Sequence, residues 1–117
     1  MNKEQIKHEL LTYIKHNNGA TFCDIEQLFE KIGFDFHGDL KVVSGINEAV
    51  ILWDGWDMEA INIITEMSSG GLIEPVTCNV LLYLVFGELL KLPVLRFQDM
   101  KRVKRPHWLP VTFKACV

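Results

Sequence analysis

Cations and aromatic rings alternate near the C-terminal end of this sequence, and together they suit a polyanionic ligand. The residues with this chemistry are Arg96, Lys101, Arg102, Lys104, Arg105, His107 and Trp108, with Phe97 and Phe113 as further rings. Lysine and arginine neutralise phosphates and release counterions, whereas flat rings stack on unpaired bases for about 1 to 3 kcal/mol per base. The pattern therefore predicts nucleic-acid binding, with single-stranded DNA favoured.

The charge of the chain is divided unevenly between its two parts. Residues 1–90, here called the acidic body, contain five Lys and no Arg against fourteen Asp or Glu. Residues 91–117, here called the C-terminal extension, contain seven Lys or Arg against Asp99 alone. An acidic body beside a basic segment indicates a polyanionic partner for that segment.

Two other interpretations of the C-terminal extension are open. Its cations could balance the acidic body by packing against it, and Trp108 with its apolar neighbours could form a strand docked in the core. Prolines at 93, 106 and 110 argue against a long regular element and favour an extended strap.

The remaining reactive side chains lack the spacing that catalysis or metal binding requires. The four His and three Cys form no CxxC, HxxxH or HExxH pattern. Asp54, Asp57 and Glu59 cluster where a helix begins, which capping explains. Residues 68–71 are glycine-rich but follow a helix and precede no Lys, and Cys23 has no His motif to activate it. We expect no enzyme, no metal and no cofactor.

Composition also indicates the compartment. Three cysteines far apart in the sequence fit a reducing environment better than a disulfide framework. The first residues are charged where a secretion signal needs an apolar stretch, and the longest apolar run, residues 80–86, is far too short to span a bilayer. We expect a cytoplasmic protein without membrane contact.

Hydrophobic spacing predicts two helices in the first third of the chain. Residues 3–16 carry an apolar face and end before Gly19. Thr21 and Asp24 resemble a capping box, and a second apolar stripe follows them until Gly33. Residues 34–47 mix glycine, acidic and apolar positions and are expected to form a loop or an irregular hairpin.

A strand, a helix and a hairpin are predicted next. The apolar run 50–53 suits a buried strand, and residues 57–69 suit a helix capped by Asp54 or Asp57 and ended by two glycines. Residues 72–76 and 80–86 flank a short polar turn, which predicts two hairpin strands. The second of these strands is apolar on both faces, so the C-terminal extension, the 34–47 segment, a homodimer or a protein partner must cover it.

This order of helix, helix, strand, helix and hairpin resembles the winged helix-turn-helix superfamily over about residues 3–86. The resemblance implies an α+β fold in which helix 57–69 enters the DNA major groove and hairpin 72–86 is the wing. More loosely, residues 52–56, 83–85 and 106–110 resemble small proteins of phages and mobile genetic elements of Gram-positive cocci, one group of which binds single-stranded DNA. We therefore interpret residues 1–90 as a winged-helix domain and 91–117 as a basic aromatic extension.

The sequence departs from that superfamily on its expected reading helix. The solvent-facing positions of helix 57–69 are mainly Glu59, Asn62, Glu66 and Ser69, without any Lys or Arg, and the predicted wing contains Glu74 but no cation. Phosphates repel carboxylates, so we do not expect this helix to read the major groove.

The leading hypothesis is therefore a non-enzymatic DNA-binding accessory protein of a mobile-element replication or recombination module, with single-stranded DNA bound by the C-terminal extension. One alternative is a dimeric regulator of transcription that binds duplex DNA. Another is a protein-interaction module, an inhibitor or adaptor whose acidic body binds a host factor.

Overall fold

The computed structural model describes residues 1–117 except for the side chain of Phe97. Within that description the chain forms four α-helices and five β-strands in two small sheets. The predicted α+β class is confirmed.

Two helices open the chain, α1 (Lys3–His16) and α2 (Phe22–Lys31). Both begin with a capping box. The Asn2 side chain caps α1, whereas Thr21 and Asp24 cap α2 by reciprocal hydrogen bonds between side chain and backbone. The predicted helices and the cap at Thr21 are confirmed. No helix in the described part of the chain is both long and apolar enough to cross a bilayer.

An irregular hairpin follows, formed by β1 (His37–Val43) and β2 (Val50–Trp56). Its antiparallel register shifts at several points. Gly55, at φ +82°, allows a local kink near the end of β2. A regular strand would send Trp53 and Trp56 to opposite faces, but the irregular backbone buries both. Residues 34–47, expected to form a loop or an irregular hairpin, supply one strand, β1, and part of the turn that leads to its partner β2.

Helix α3 (Met58–Ser69) confirms the predicted third helix and one of its two predicted caps. Asp57 Oδ1 accepts a hydrogen bond from the Ala60 N–H at 2.8 Å. The buried face of α3 consists of Ala60, Ile63, Ile64 and Met67. Gly71 follows with φ +75°, as expected of a glycine after a helix.

The predicted hairpin over residues 72–86 is wrong in its second half. Residues 73–77 do form a strand, β3 (Ile73–Thr77), but residues 80–86 contain the short helix α4 (Leu81–Leu84). The Asn79 side chain accepts the Leu81 N–H at 2.9 Å and starts this turn. The partner of β3 is instead β5 (Val111–Ala115), in antiparallel register.

The last part of the C-terminal extension contributes strands to both sheets. Strand β4 (His107–Trp108) pairs in parallel with β2, giving one sheet of order β1-β2-β4. Strand β5 pairs with β3, and Ala20 forms a bridge with Phe113 of β5. Both sheets thus need strands from the C-terminal extension, because the body alone supplies no partner for β3.

Aromatic side chains of α2, β2, α4, β4 and β5 form the centre of one core. Phe22 of α2 lies 5.3 Å from Trp56 and 5.2 Å from Phe113, between ring centroids. Tyr83 of α4 contacts Trp108 at 5.3 Å, and its hydroxyl donates to the Val111 carbonyl at 2.6 Å while accepting the Phe22 N–H at 3.0 Å. One buried tyrosine therefore fixes α4 to both ends of the chain.

Candidate nucleic-acid interface

The predicted cations lie mainly on one loop, residues 96–105, here called the cationic loop. A bridge between Val94 and Trp108 closes its base, and the Leu95 N–H donates to the Trp108 carbonyl at 2.7 Å. Within the loop the Asp99 carbonyl accepts the Arg102 and Val103 N–H groups at 3.0 and 3.2 Å. The two ends of the loop therefore lie side by side at the core, and the residues between these ends form a turn.

Asn47, in the turn between β1 and β2, fixes the position of the cationic loop. Its Nδ2 donates to the carbonyls of Met100 at 3.0 Å and Val103 at 2.8 Å. Its Oδ1 accepts the Ala49 N–H at 3.0 Å, so the side chain itself is held in place. Lys101 and Arg102 lie between the two anchored carbonyls, and both are exposed.

The five cations of the cationic loop are exposed and unpaired. They are Arg96, Lys101, Arg102, Lys104 and Arg105. Within the described residues, ion pairs involve Lys3, Lys7, His37 and Lys114, and none includes a cation of this loop. Among the described residues, the ion pair between the extension and the acidic body joins Lys114 to Glu74 at 3.3 Å.

Two of the rings expected to stack on bases, those of Trp108 and Phe113, are buried in the core. Trp108 is 1% exposed and donates its Nε1–H to the Leu52 carbonyl at 3.2 Å, so its assignment as a binding residue is wrong. Phe113 is equally buried. Both lie on strands that complete the core, as the docked-strand interpretation proposed. His107 is half-buried, with Nδ1 2.7 Å from the Arg105 carbonyl oxygen. Phe97 lies outside the described side chains.

The outer face of α3 carries the acidic surface expected from the sequence. Glu59, Asn62, Glu66 and Ser69 are exposed there. Glu66 forms ion pairs with Lys3 and, at 2.8 Å, with Lys7. Hydrogen bonds from both ammonium groups lower the pKa of Glu66, and the same contact raises the pKa of Lys7. These cations of α1 are therefore already paired with α3.

An apolar groove of about 440 Å³ lies between α3 and the two sheets. Its floor is formed by aliphatic side chains, Leu52 of β2, Val111 of β5 and Leu109 between β4 and β5. Its α3 wall is formed by Ile64 and by three hydroxyl side chains, Thr65, Ser68 and Ser69. Ile46 and Met100 border the groove and also border a second depression beside Lys101 and Arg102. The groove therefore adjoins the cationic loop.

Glu26 is a carboxylate of the body that contacts the aromatic core. It is half-buried, and its Oε2 accepts the indole N–H groups of Trp53 at 2.9 Å and Trp56 at 2.8 Å. Burial raises the pKa of Glu26, although the two indole donors act in the opposite direction. A carboxyl with a raised pKa beside a cavity is a candidate catalytic acid. Here the two indoles account for it, because they need an acceptor in the core.

The other reactive groups provide no catalytic arrangement. Cys23 is buried, and burial raises the pKa of its thiol to about 12, so the nucleophilic thiolate is scarce at neutral pH. His37 forms an exposed pair with Asp35 at 2.9 Å. Among the residues with described positions, no group of three or more His, Cys, Asp or Glu is placed to hold a metal ion.

Sequence reasoning missed Asn47 and the apolar groove. The neighbouring glycine and serine indicate that Asn47 lies in a turn, but its contacts lie more than fifty residues away along the chain. The groove combines segments from five separate elements, which no local pattern reveals. Of these features, only the exposure of the cations was indicated by the nearby sequence, because charged side chains on a proline-flanked loop stay in water.

No protein-family model matches this chain, and comparisons with curated proteins and with solved structures found no match either. Function must therefore be inferred from the residues and their geometry.

Proposed function

We propose that this protein binds nucleic acid without catalysing a reaction, and that phosphates of a single strand contact the cationic loop. The observation that carries this function is the set of five exposed cations on one anchored loop, none of which forms an ion pair with a described residue. Binding a phosphate there breaks no internal ion pair, while each contact releases counterions from the strand. An accessory role in a mobile element's replication or recombination, in the cytoplasm, rests on the looser sequence resemblance alone.

A preference for single strands over duplex is supported by the surface of α3. Duplex readers usually place an element with Lys or Arg in the major groove. The outer face of α3 carries Glu59 and Glu66 instead, and Glu66 already binds Lys3 and Lys7. A flexible single strand can follow a short cationic loop without entering that acidic surface.

The order of elements supports a winged-helix-like arrangement with a long insertion. In this proposal α1, α2, β2, α3 and the antiparallel pair β3–β5 correspond to the helix, helix, strand, helix and hairpin of the superfamily, and β1 is an additional strand. In this proposal β5 replaces residues 80–86 as the second wing strand. Residues 78–110, which contain α4 and the cationic loop, are then an insertion between the wing strands, so the binding loop lies outside the shared elements.

Fluorescence anisotropy with a labelled strand of about 20 nucleotides tests the function. We expect binding at about 50 mM salt and a decline of log K with log[salt] at a slope of roughly −2 to −4. That slope corresponds to about three to six phosphate contacts at about 0.7 each. Matched duplex DNA should bind more weakly. Absence of binding to single-stranded DNA, duplex DNA and RNA at low salt would end the proposal, and selective protection of a palindromic duplex would favour a regulator.

One further observation favours the protein-interaction alternative. Leu81, Leu84 and Val85 on and after α4 are 57, 54 and 84% exposed, and clustered apolar side chains on a surface often mark a protein interface. A second copy of the chain is the simplest occupant to test. Light scattering over a concentration series should then detect a dimer that Val85→Glu abolishes. A monomer at all concentrations would argue against this role.

A further inference from the structure

The apolar groove has the size and composition of a ligand site. Its volume of about 440 Å³ lies within the range of about 300 to 1,000 Å³ that is usual for small-molecule sites. An aliphatic floor with a few hydroxyl groups on one wall is also the usual composition of such sites. A flat heterocycle could pack on Leu52 and Leu109 while its polar edge faces Thr65 and Ser68.

The charge around the groove selects the kind of ligand. No Asp or Glu is among the described residues that line the groove or the adjoining depression. Lys101 and Arg102 lie in that depression, and Ile46 and Met100 separate the two spaces. The ligand should therefore have an apolar part for the groove and an anionic part for the two cations.

We propose that the apolar groove seats one unpaired base of the bound strand, while a neighbouring phosphate contacts Lys101 and Arg102. This inference rests on the proposed function and supplies the base contact that the buried Trp108 cannot make. It also gives a reason for the preference for single strands, because moving a paired base out of a duplex costs unpairing and unstacking energy. An anionic amphiphile has similar chemistry and is the rival occupant.

A substitution on α3 can fill the groove without touching the cations. Thr65 is exposed and lines the groove, so Thr65→Trp should occupy the space while leaving the core intact. Thr12→Trp on α1 is the matched control, since Thr12 is an exposed helical threonine that does not line the groove. If Thr65→Trp does not fold, as judged by circular dichroism, Ser69→Trp at the same wall serves instead.

The experiment compares an oligothymidine strand with an abasic strand of equal length and phosphate number. The wild type should bind the thymidine strand at least about fivefold more tightly at low salt. Thr65→Trp should bring this ratio close to one without changing the salt slope, and Thr12→Trp should retain the wild-type ratio.

Failure of this inference differs from failure of the proposed function. Equal affinity of the wild type for both strands, with a normal salt slope, overturns the base site and leaves the cationic loop as the binding surface. Absence of binding to either strand overturns both. Binding of decanoate that Thr65→Trp blocks, with no effect of base content on strand affinity, would assign the groove to an amphiphile and overturn the base site.

Discussion

The charged side chains of the acidic body and those of the cationic loop are used differently. In the body, Asp24 and Asp57 cap helices, Glu66 pairs with two lysines, and Glu26 accepts two indole N–H groups. In the cationic loop, five Lys and Arg side chains extend into solvent without an acidic partner among the described residues. These four acidic side chains of the body make contacts within the fold, whereas the charges of the loop are available to a ligand.

This difference predicts that folding and binding respond to different substitutions. A change in the body should alter the free energy of unfolding and leave the salt slope of binding unchanged. A change in the cationic loop should do the reverse, because exposed positions away from caps and cores usually alter stability by no more than about 0.5 kcal/mol.

The largest expected effect is a loss of stability when Trp108 is replaced. This residue lies in the C-terminal extension along the sequence, but its side chain is buried in the core. Trp108→Ala should lower the free energy of unfolding by about 3 to 5 kcal/mol, because a large buried ring is lost. Urea denaturation followed by circular dichroism measures this change. A Trp108→Ala variant with unchanged stability but weaker strand binding would indicate that Trp108 contacts the strand. It would contradict the burial of Trp108 in the core.

The next largest effect is on binding. Replacing Lys101, Arg102, Lys104 and Arg105 by Ala should make the salt slope shallower by about 2 to 3 and weaken low-salt binding roughly a hundredfold. Anisotropy titrations at several salt concentrations measure both. The matched control replaces four exposed lysines outside the loop, Lys15, Lys31, Lys41 and Lys91. Equal losses in the two variants would mean that overall charge, and not the loop, determines binding.

A smaller effect on stability and binding is expected at Asn47, a residue of the acidic body that contacts the cationic loop. Asn47→Ala removes two hydrogen bonds to loop carbonyls and should lower the free energy of unfolding by about 1 to 2 kcal/mol. Strand binding should weaken severalfold while the salt slope persists, because the cations remain but their positions are less fixed. Thermal denaturation and anisotropy measure the two quantities. An unchanged affinity would show that the anchored geometry is irrelevant to binding.

The smallest effect is a pH dependence of stability from Glu26. Burial raises its pKa in the folded state above the ordinary value of 4.5, so the folded protein holds this proton more tightly than the unfolded chain does. The stability contributed by the protonated group is present below the unfolded pKa and is lost as pH rises through the folded pKa. Glu26→Gln keeps an acceptor oxygen for an indole N–H but does not titrate.

The free energy of unfolding of the wild type, relative to Glu26→Gln, should therefore fall as the pH rises above the ordinary pKa of 4.5 and through the raised pKa of the folded state. Urea denaturation of both proteins at each pH gives the difference. If the stability of the wild type relative to Glu26→Gln increased with pH, the burial of Glu26 would be contradicted. As a control, both proteins should bind the strand equally at neutral pH.

The helices could be predicted from sequence because their signals are local. Thr21 with Asp24 and the acidic residue before α3 lie within one turn of the helices that they begin. Residues 80–86 could not be predicted in the same way. Their apolar run suits a strand, but β3 obtains its partner from β5, more than thirty residues further on, and Asn79 and Tyr83 hold the run in a helical turn.

Of the candidate interface, only the exposure of its Lys and Arg side chains could be predicted from the sequence. Lysine and arginine remain in water wherever the chain places them, so their exposure follows from residue type. A tryptophan suits a core as well as a base platform, and the choice for Trp108 depends on its pairing with β2, more than fifty residues away. Trp108 and Phe113 are therefore buried, whereas the five cations of the loop are exposed.

The most direct test of the central claim is a map of the contact surface by NMR. Backbone amide shifts of the nitrogen-labelled protein would be followed as a single strand is added at low salt. We predict that the largest changes occur at Lys101, Arg102, Lys104 and Arg105, with little change at Glu59 and Asn62 on the outer face of α3. Changes concentrated on Glu59 and Asn62, with the cationic loop unaffected, would contradict the account.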